Sequence, residues 1–179
     1  MVVTARIIAA TALLGLVSAC APTLGPPPPR TSPPPPGDAR FSAEDFAWSK
    51  VPGRNALMGR LAFRQGSVAY TCAGSTVVLT PETPWSRRRM GVLYKSDVRS
   101  ALPADEVRAR TPQAPPGDSG PFIKRATCDP ADRFSFGSLP DGAWYVVTIA
   151  KPPSGAAGGN VALMRRVTTR GGRVTSFEL

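Results

Sequence analysis

Short stretches in which apolar and polar residues alternate recur from about residue 56 to residue 179, and a period of two is typical of β-strands. The alternation is plainest where Phe134 and Phe136 are interleaved with Ser135 and Gly137. Turn signals rich in glycine and proline separate the stretches. The pattern predicts strands at residues 56–63, 67–72, 76–80, 133–139, 143–150, 160–169 and 173–179. About seven short strands predict an all-β fold, an antiparallel β-sandwich.

The alternation is weaker between residues 81 and 132. Residues 86–96 fit either a short helix or an irregular excursion, and residues 103–121 are predicted to form a surface loop. Gly171 and Gly172 separate the last two strands and supply the positive φ that a tight turn needs, so these strands are predicted to form a closing hairpin. We therefore expect a sandwich domain at residues 41–179 with a long loop region at about 81–132.

The first 20 residues have a different pattern. A basic residue precedes an uncharged run at residues 7–19, which is too short to span a bilayer comfortably and has the order of an export signal. The run ends in Val17-Ser18-Ala19-Cys20, which resembles the lipobox of bacterial lipoproteins. The resemblance implies that residues 1–19 are removed as a signal peptide and that acylated Cys20 anchors the protein in a lipid bilayer. The alternative is an ordinary secretory signal with an incidental cysteine.

Residues 20–40 are predicted to be a linker, because two proline runs, Pro26–Pro29 and Pro33–Pro36, exclude both helix and central strand. Such runs favour the extended polyproline II conformation, which makes a spacer, or else a docking site for a proline-reading domain. Ala21 follows Cys20, where lipoproteins kept at the inner membrane tend to carry aspartate. The lipoprotein resemblance therefore implies the outer membrane, with the domain facing the periplasm.

A second resemblance covers roughly residues 56–179. The segments TCAGSTVVLTPETPW and CDPADRFSFGSLPDGAWYVV resemble the carboxypeptidase regulatory-like domain, a transthyretin-like β-sandwich. The positions that carry the motif are Asp129, Phe134, Phe136, Leu139, Pro140 and Gly142. Asp132 replaces a turn glycine of that family and is expected to tolerate positive φ, and Trp144 replaces a tyrosine. The resemblance implies a sandwich and no particular activity.

The chain contains no histidine, which excludes the general base of a trypsin-like protease. The GDSGP sequence at residues 117–121, which matches the nucleophile signature of those enzymes, is therefore predicted to be a loop. Asp129 and Asp132 lack the EF-hand spacing and are predicted to form a turn instead of a calcium site. We accordingly expect no catalytic residues, no metal and no cofactor.

Three cysteines are present, and two of them, Cys72 and Cys128, remain when Cys20 is assigned to the lipid. Two cysteines in an oxidising compartment are expected to form a disulfide. Two buried free thiols on core strands are the alternative.

The formal charge of +10 is compatible with binding to anionic groups. Arginine clusters at Arg87, Arg88 and Arg89 and at Arg165 and Arg166 are the candidate anion-binding residues, with Arg170 and Arg173 as a further pair. Their partner would be lipid phosphate, acidic glycan or a protein, and nucleic acid is excluded by export; a merely solvated basic surface is the alternative. Trp85 fits either stacking beside these arginines or a place in the core.

These features together favour a membrane-anchored, non-catalytic binding or structural module of the cell envelope. One alternative is an accessory subunit of an envelope transport or secretion assembly, which would use residues 81–121 as a docking loop. The other is a hydrolase of envelope polymers that uses serine, lysine or carboxylate side chains.

Overall fold

A computed structural model of the protein describes residues 40–179. The predicted signal peptide, Cys20 and the proline runs lie outside the described residues. The strands are β1 (Asn55–Arg60), β2 (Arg64–Gln65), β3 (Val68–Ala69), β4 (Thr76–Pro81), β5 (Arg99–Pro103), β6 (Lys124–Thr127), β7 (Arg133–Leu139), β8 (Gly142–Ala150), β9 (Val161–Thr169) and β10 (Val174–Glu178). The helices are α1 (Pro84–Tyr94) and α2 (Ala104–Ala109), with 3₁₀ turns at Glu44–Lys50, Thr111–Gln113 and Gly120–Phe122.

The strands form a β-sandwich, as the alternation predicts. A five-stranded sheet has the order β5-β9-β8-β4-β6 and a three-stranded sheet the order β10-β1-β7, while β2 and β3 form a separate hairpin. The main core lies between the two sheets and contains Leu57, Leu79, Leu139, Trp144 and Val146, each 0% exposed. Burial of this apolar surface is the main stabilising contribution.

The region between residues 81 and 132 differs from the predicted long loop. It contains α1, β5, α2 and β6, and the two helices lie against the five-stranded sheet. A second core fills this layer, with the buried residues Met90, Leu93, Tyr94, Ala114, Tyr145, Ala162 and Met164. The five-stranded sheet is therefore covered on both faces. Because β8 and β9 carry apolar residues on both faces, the sheet would otherwise expose an apolar surface.

Helix α1 begins at a well-formed N-terminal cap. The Thr83 hydroxyl accepts a hydrogen bond from Ser86 N at 3.1 Å, and the Ser86 hydroxyl accepts one from Thr83 N at 2.8 Å. Pro84 occupies the first turn, where its missing N–H costs nothing. The helix ends at Lys95, which adopts a left-handed conformation with φ 56°. The structure therefore confirms the helical interpretation of residues 86–96 over the irregular one and places the helix at Pro84–Tyr94.

The predicted closing hairpin is wrong. Strand β9 belongs to the five-stranded sheet, whereas β10 pairs with β1 in the three-stranded sheet, and this pair is parallel. Gly171 and Gly172, with φ 69° and 68°, carry the chain from one sheet to the other instead of folding it back onto β9. The alternation identified both strands but could not reveal which sheet each one joins.

Cys72 and Cys128 form the predicted disulfide, with their Cα atoms 5.7 Å apart. The turn beside it is held by Asp132, which has the expected positive φ, at 60°. The Asp132 carboxylate accepts hydrogen bonds from Thr71 Oγ1 at 2.6 Å and from Cys72 N at 2.8 Å. These contacts fix the chain on both sides of the disulfide. None of the helices in residues 40–179 is long and apolar enough to cross a membrane.

We expect that replacing both Cys72 and Cys128 with alanine lowers the free energy of unfolding by about 4 kcal/mol at most, because the bridge spans 56 residues and restricts the unfolded chain. Urea unfolding of the double variant measures this loss. Reduction of the unaltered protein is the matched control and should reproduce it. Identical midpoints for the oxidised and reduced proteins would contradict the prediction.

Candidate functional site

The three-stranded sheet has one face that no described element covers. Alternation along β1 places Leu57 in the core and Met58 and Arg60 on the opposite side, where Met58 is 55% exposed. The pairing of β1 with β7 and β10 places Ser135 and Ser176 on either side of Met58. Arg60 lies in the next row, between Arg133 and Glu178. This uncovered face therefore presents a row of hydroxyl groups beside a row of charged groups.

A shallow groove of about 460 Å³ runs along this face. We call it the outer groove, and it is lined by Met58, Gly59, Arg60, Arg133, Phe134, Ser176, Phe177 and Glu178. Gly59 must lack a side chain, because a Cβ atom there would lie 2.2 Å from the Phe134 ring on the core side of β1. The lining combines apolar surface with hydroxyl, guanidinium and carboxylate groups, a mixture that binding sites for small ligands commonly have.

Ion pairs hold the charged groups of the outer groove loosely. Arg60 lies 3.5 Å from Glu178, and Arg133 lies 3.2 Å from Asp129. The pKa of Asp129 is lowered, first by the hydrogen bond from the Arg133 backbone and also by the positive charge of Arg133. Exposed pairs of this kind contribute little to stability, so both arginines can turn toward a ligand at small cost.

A second recess of about 280 Å³ lies beside edge strand β5, with Phe63, Arg99, Ser100, Ala101, Leu163, Met164 and Leu179 as its lining. Most of this lining is apolar, and two of its residues, Arg99 and Ser100, carry polar side chains. The outer groove therefore offers more hydrogen-bonding groups to a hydroxyl-rich ligand.

Two of the sequence-predicted arginines meet at a single carboxylate. Glu82, whose side chain is 7% exposed, accepts hydrogen bonds from Arg87 and Arg166 on its two oxygens. Nε of Arg166 lies 2.7 Å from Glu82 Oε2. The charge of Glu82 raises the pKa of Arg87 above its ordinary value. This carboxylate thus already balances part of the positive charge of the pair.

The other predicted arginines are separated from this pair. Arg89 donates to the Pro115 carbonyl at 2.8 Å, and Arg88 is exposed on α1. Arg165 lies on the opposite face of β9 from Arg166, where it contacts the Phe177 ring and the Glu178 carbonyl. The five nominated arginines therefore do not form one continuous surface.

Trp85 is both a core residue and a neighbour of an arginine side chain, so it combines the two roles that the sequence allowed. It is 1% exposed, and its indole Nε1 donates to the Pro116 carbonyl at 2.9 Å. The Arg89 guanidinium lies 5.4 Å from the centre of its ring system. The GDSGP segment follows directly as a loop, in which Asp118 accepts a hydrogen bond from Gly120 N at 2.8 Å. Trp85 and Arg89 therefore fasten this loop to α1.

The only group of potential metal ligands within residues 40–179 consists of Cys72, Cys128 and Asp132. The two sulfur atoms are bonded to each other, and the carboxylate already accepts two hydrogen bonds. This arrangement is structural in the oxidised protein.

Sequence reasoning did not nominate Arg60, Arg133, Ser176 or Glu178. Their alternation with core residues identifies them as outward-facing, but the same is true of outward positions in every strand. The deciding fact is that helices cover the other sheet and leave this one open, and no local pattern encodes it.

No protein-family model matches the chain. No curated protein matches it either. Its structure is similar to the crystal structure of a "putative carbohydrate binding protein" from Pseudomonas aeruginosa. The TM-score is 0.58, and the match has 22% sequence identity and covers 78% of this chain and 96% of that chain. At this identity the likeness shows a shared β-sandwich fold.

We expect Tyr94 and Tyr145 to ionise late, because burial raises the pKa of each to about 12 and, at Tyr145, the charge of Glu82 adds to the shift. The unfolded chain loses these protons near pH 10. Their contribution to stability is therefore complete below pH 10 and is lost as the pH rises from about 10 to 12. Tyrosinate absorbance measured against pH, together with urea unfolding, tests this expectation.

The matched variant is Tyr145→Phe. The Tyr145 hydroxyl is buried without a hydrogen-bond partner among the described residues, so its removal should preserve stability at neutral pH and eliminate one late ionisation. Ionisation of both hydroxyls near pH 10 in the folded protein would contradict the prediction.

Proposed function

We propose that this protein is a lipid-anchored, non-catalytic module of the cell envelope that binds carbohydrate in the outer groove. The observation that carries the proposal is the open face of the three-stranded sheet, where hydroxyl, guanidinium and carboxylate groups lie in adjacent rows. Binding sites for small ligands combine apolar surface with a few placed polar groups, and this face offers both, with Met58 beside the polar groups. The P. aeruginosa protein of the same fold, described as a putative carbohydrate binding protein, supports this choice of ligand.

The charge of the outer groove favours an acidic glycan. Its lining contains two guanidinium groups, from Arg60 and Arg133, and one carboxylate, from Glu178. Guanidinium groups bind carboxylates and phosphates through paired hydrogen bonds. A uronic acid or a phosphorylated sugar would therefore be preferred over a neutral one.

The same lining argues against hydrolysis. Most glycosidases use two carboxyl groups on either side of the scissile bond. The one carboxylate that lines the outer groove, Glu178, is paired with Arg60. The groove therefore fits binding without cleavage.

The anchor in this proposal is Cys20, on the basis of the lipobox-like sequence that precedes it. The linker rich in proline would act as a spacer between the bilayer and the sandwich. The transthyretin-like resemblance of residues 56–179 fits a module that displays a binding surface. We assign the protein to the periplasmic side of the outer membrane, since Ala21 follows Cys20.

Cells grown with a labelled fatty acid should incorporate it into this protein, and the Cys20→Ser variant should lose the label and leave the membrane fraction. The Cys72→Ser/Cys128→Ser double variant is the matched control, since it removes two other cysteines and should keep the label. Label that persists in Cys20→Ser would refute the anchor and leave the outer groove untouched.

The outer groove is tested with the chain from residue 20 onward carrying Cys20→Ser, because both cores lie within residues 40–179. We expect Arg60→Ala/Arg133→Ala to weaken binding of isolated envelope polysaccharide about ten-fold or more, measured by calorimetry, because two charge-assisted contacts are lost. Ser176→Gln should weaken it similarly by filling the groove without changing charge.

The control for this experiment is Arg64→Ala/Arg108→Ala, which removes the same charge at exposed positions outside the groove. It should bind within about two-fold of the parent, because distant exposed charges are largely screened. Equal losses in both double variants would show general charge attraction and would overturn the assignment of the groove.

A further inference from the structure

Three arginines outside the outer groove lie in or beside the turn between β9 and β10. Gly172 leaves space for Arg54, since a Cβ atom there would lie 3.5 Å from Arg54 Cβ and 3.6 Å from Arg54 Nε. A Cβ atom on Gly171 would lie 3.9 Å from Arg173 Nε. Arg170 directly precedes the two glycines. We call Arg54, Arg170 and Arg173, together with this turn, the arginine turn.

A buried amide fixes the backbone of the arginine turn. Asn55 is 1% exposed, and its Oδ1 accepts a hydrogen bond from Arg173 N at 3.0 Å. Its Nδ2 donates to the Leu139 carbonyl at 3.0 Å and to Asp141 Oδ1 at 2.9 Å. Gly171 N also donates to Asp141 Oδ1, at 3.0 Å. The three arginines therefore extend from a rigid support, which lowers the entropic cost of holding them around one ligand.

The guanidinium groups of the arginine turn have no hydrogen bond or ion pair within residues 40–179. Asp141 is the acid beside them, and its carboxylate is already occupied by Asn55 and Gly171. Its pKa is lowered, first by the Asn55 hydrogen bond, then by Gly171 and Arg170, so it is charged at neutral pH. Three cations face one anion here. At Glu82, by contrast, Arg87 and Arg166 share one buried carboxylate.

We propose that the arginine turn binds the phosphoryl group of an anionic lipid headgroup. A phosphoryl group offers several acceptor oxygens, and guanidinium groups pair with them through two parallel hydrogen bonds. Three arginines from separate positions can surround one such group, whereas a uronic carboxylate has only two oxygens to share. The site is distinct from the outer groove, which is lined by Met58, Gly59 and Arg60 in the second half of β1, whereas Arg54 precedes the first residue of that strand.

The position of the arginine turn favours lipid as the source of the phosphoryl group. Gly142, next to Asp141, packs against Trp48, since a Cβ atom there would lie 2.2 Å from the Trp48 ring. The Trp48 ring packs edge-to-face against the Trp144 ring, with the ring centroids 4.8 Å apart. The first described segment of the chain therefore joins the sandwich at the end that carries the arginine turn. The choice of lipid rests on the proposed anchor, since an anchored protein stays on the membrane whose headgroups would be the ligand.

The test uses the chain from residue 20 with Cys20→Ser, so that no acyl chain contributes to binding. Vesicles of phosphatidylglycerol mixed with phosphatidylcholine should sediment this protein, and vesicles of phosphatidylcholine alone should not. The Arg54→Gln/Arg170→Gln/Arg173→Gln variant should lose at least about ten-fold in vesicle affinity, because each arginine near an anionic surface contributes to binding. The single variant Arg54→Gln should give a smaller loss of vesicle affinity. Because its substitution lies outside the turn itself, a loss there cannot be attributed to misfolding of the turn.

The control is Arg64→Gln/Arg108→Gln/Arg125→Gln, which removes three exposed arginines elsewhere and should change vesicle affinity less than about three-fold. Equal losses in the two triple variants would overturn the proposal. Binding of inorganic phosphate at the arginine turn, followed by nuclear magnetic resonance, without vesicle binding would overturn the lipid source. Failure of acylation or of glycan binding leaves this result unaffected, because the assay uses neither.

Discussion

The five-stranded sheet is apolar on both faces, and the rest of the fold follows from the need to cover them. The three-stranded sheet covers one face around Trp144 and Val146, and α1 and α2 cover the other around Tyr145 and Met164. Because the apolar face of the three-stranded sheet is buried in this contact, its other face is exposed to solvent. The candidate carbohydrate surface is therefore a direct result of the layer order helices, sheet, sheet.

Much of this architecture can be predicted from local patterns. Strands β4, β7, β8, β9 and β10 lie within a residue or so of the alternating stretches, and Asp132 has the backbone conformation expected of it. The predicted 67–72 strand is reduced to Val68–Ala69, and beyond it the chain makes only single contacts: Tyr70 N donates to the Phe63 carbonyl, and Thr71 forms an isolated bridge with Lys151. The layer formed by residues 81–132 was missed because α1 has little contrast between its faces: Trp85, Ser86 and Met90 are all buried while three arginines interrupt them.

The site was less predictable than the fold. Clusters of arginine in sequence drew attention to Arg87–Arg89 and to Arg165 and Arg166, yet β-strand alternation separates the last two and a buried glutamate takes up Arg87 and Arg166. The groups that line the outer groove come from strands distant in sequence, and at the arginine turn the sequence-predicted pair Arg170 and Arg173 is joined by Arg54 from a distant part of the chain. Arg54 and Arg173 are brought together by Asn55, whose bond to Arg173 joins residues 118 apart. A single sequence does not contain that proximity as a local signal.

The parallel pairing of β1 with β10 has a consequence for how the molecule acquires its structure. The first long strand of the sandwich, β1, pairs with β10, which lies far along the chain, so this sheet remains incomplete until both segments have come together. Contacts between such distant parts of a chain are slow to form. The folding chain should therefore pass through a slow stage in which β1 has an unpaired edge, and at this stage it is most prone to aggregate and most in need of a chaperone.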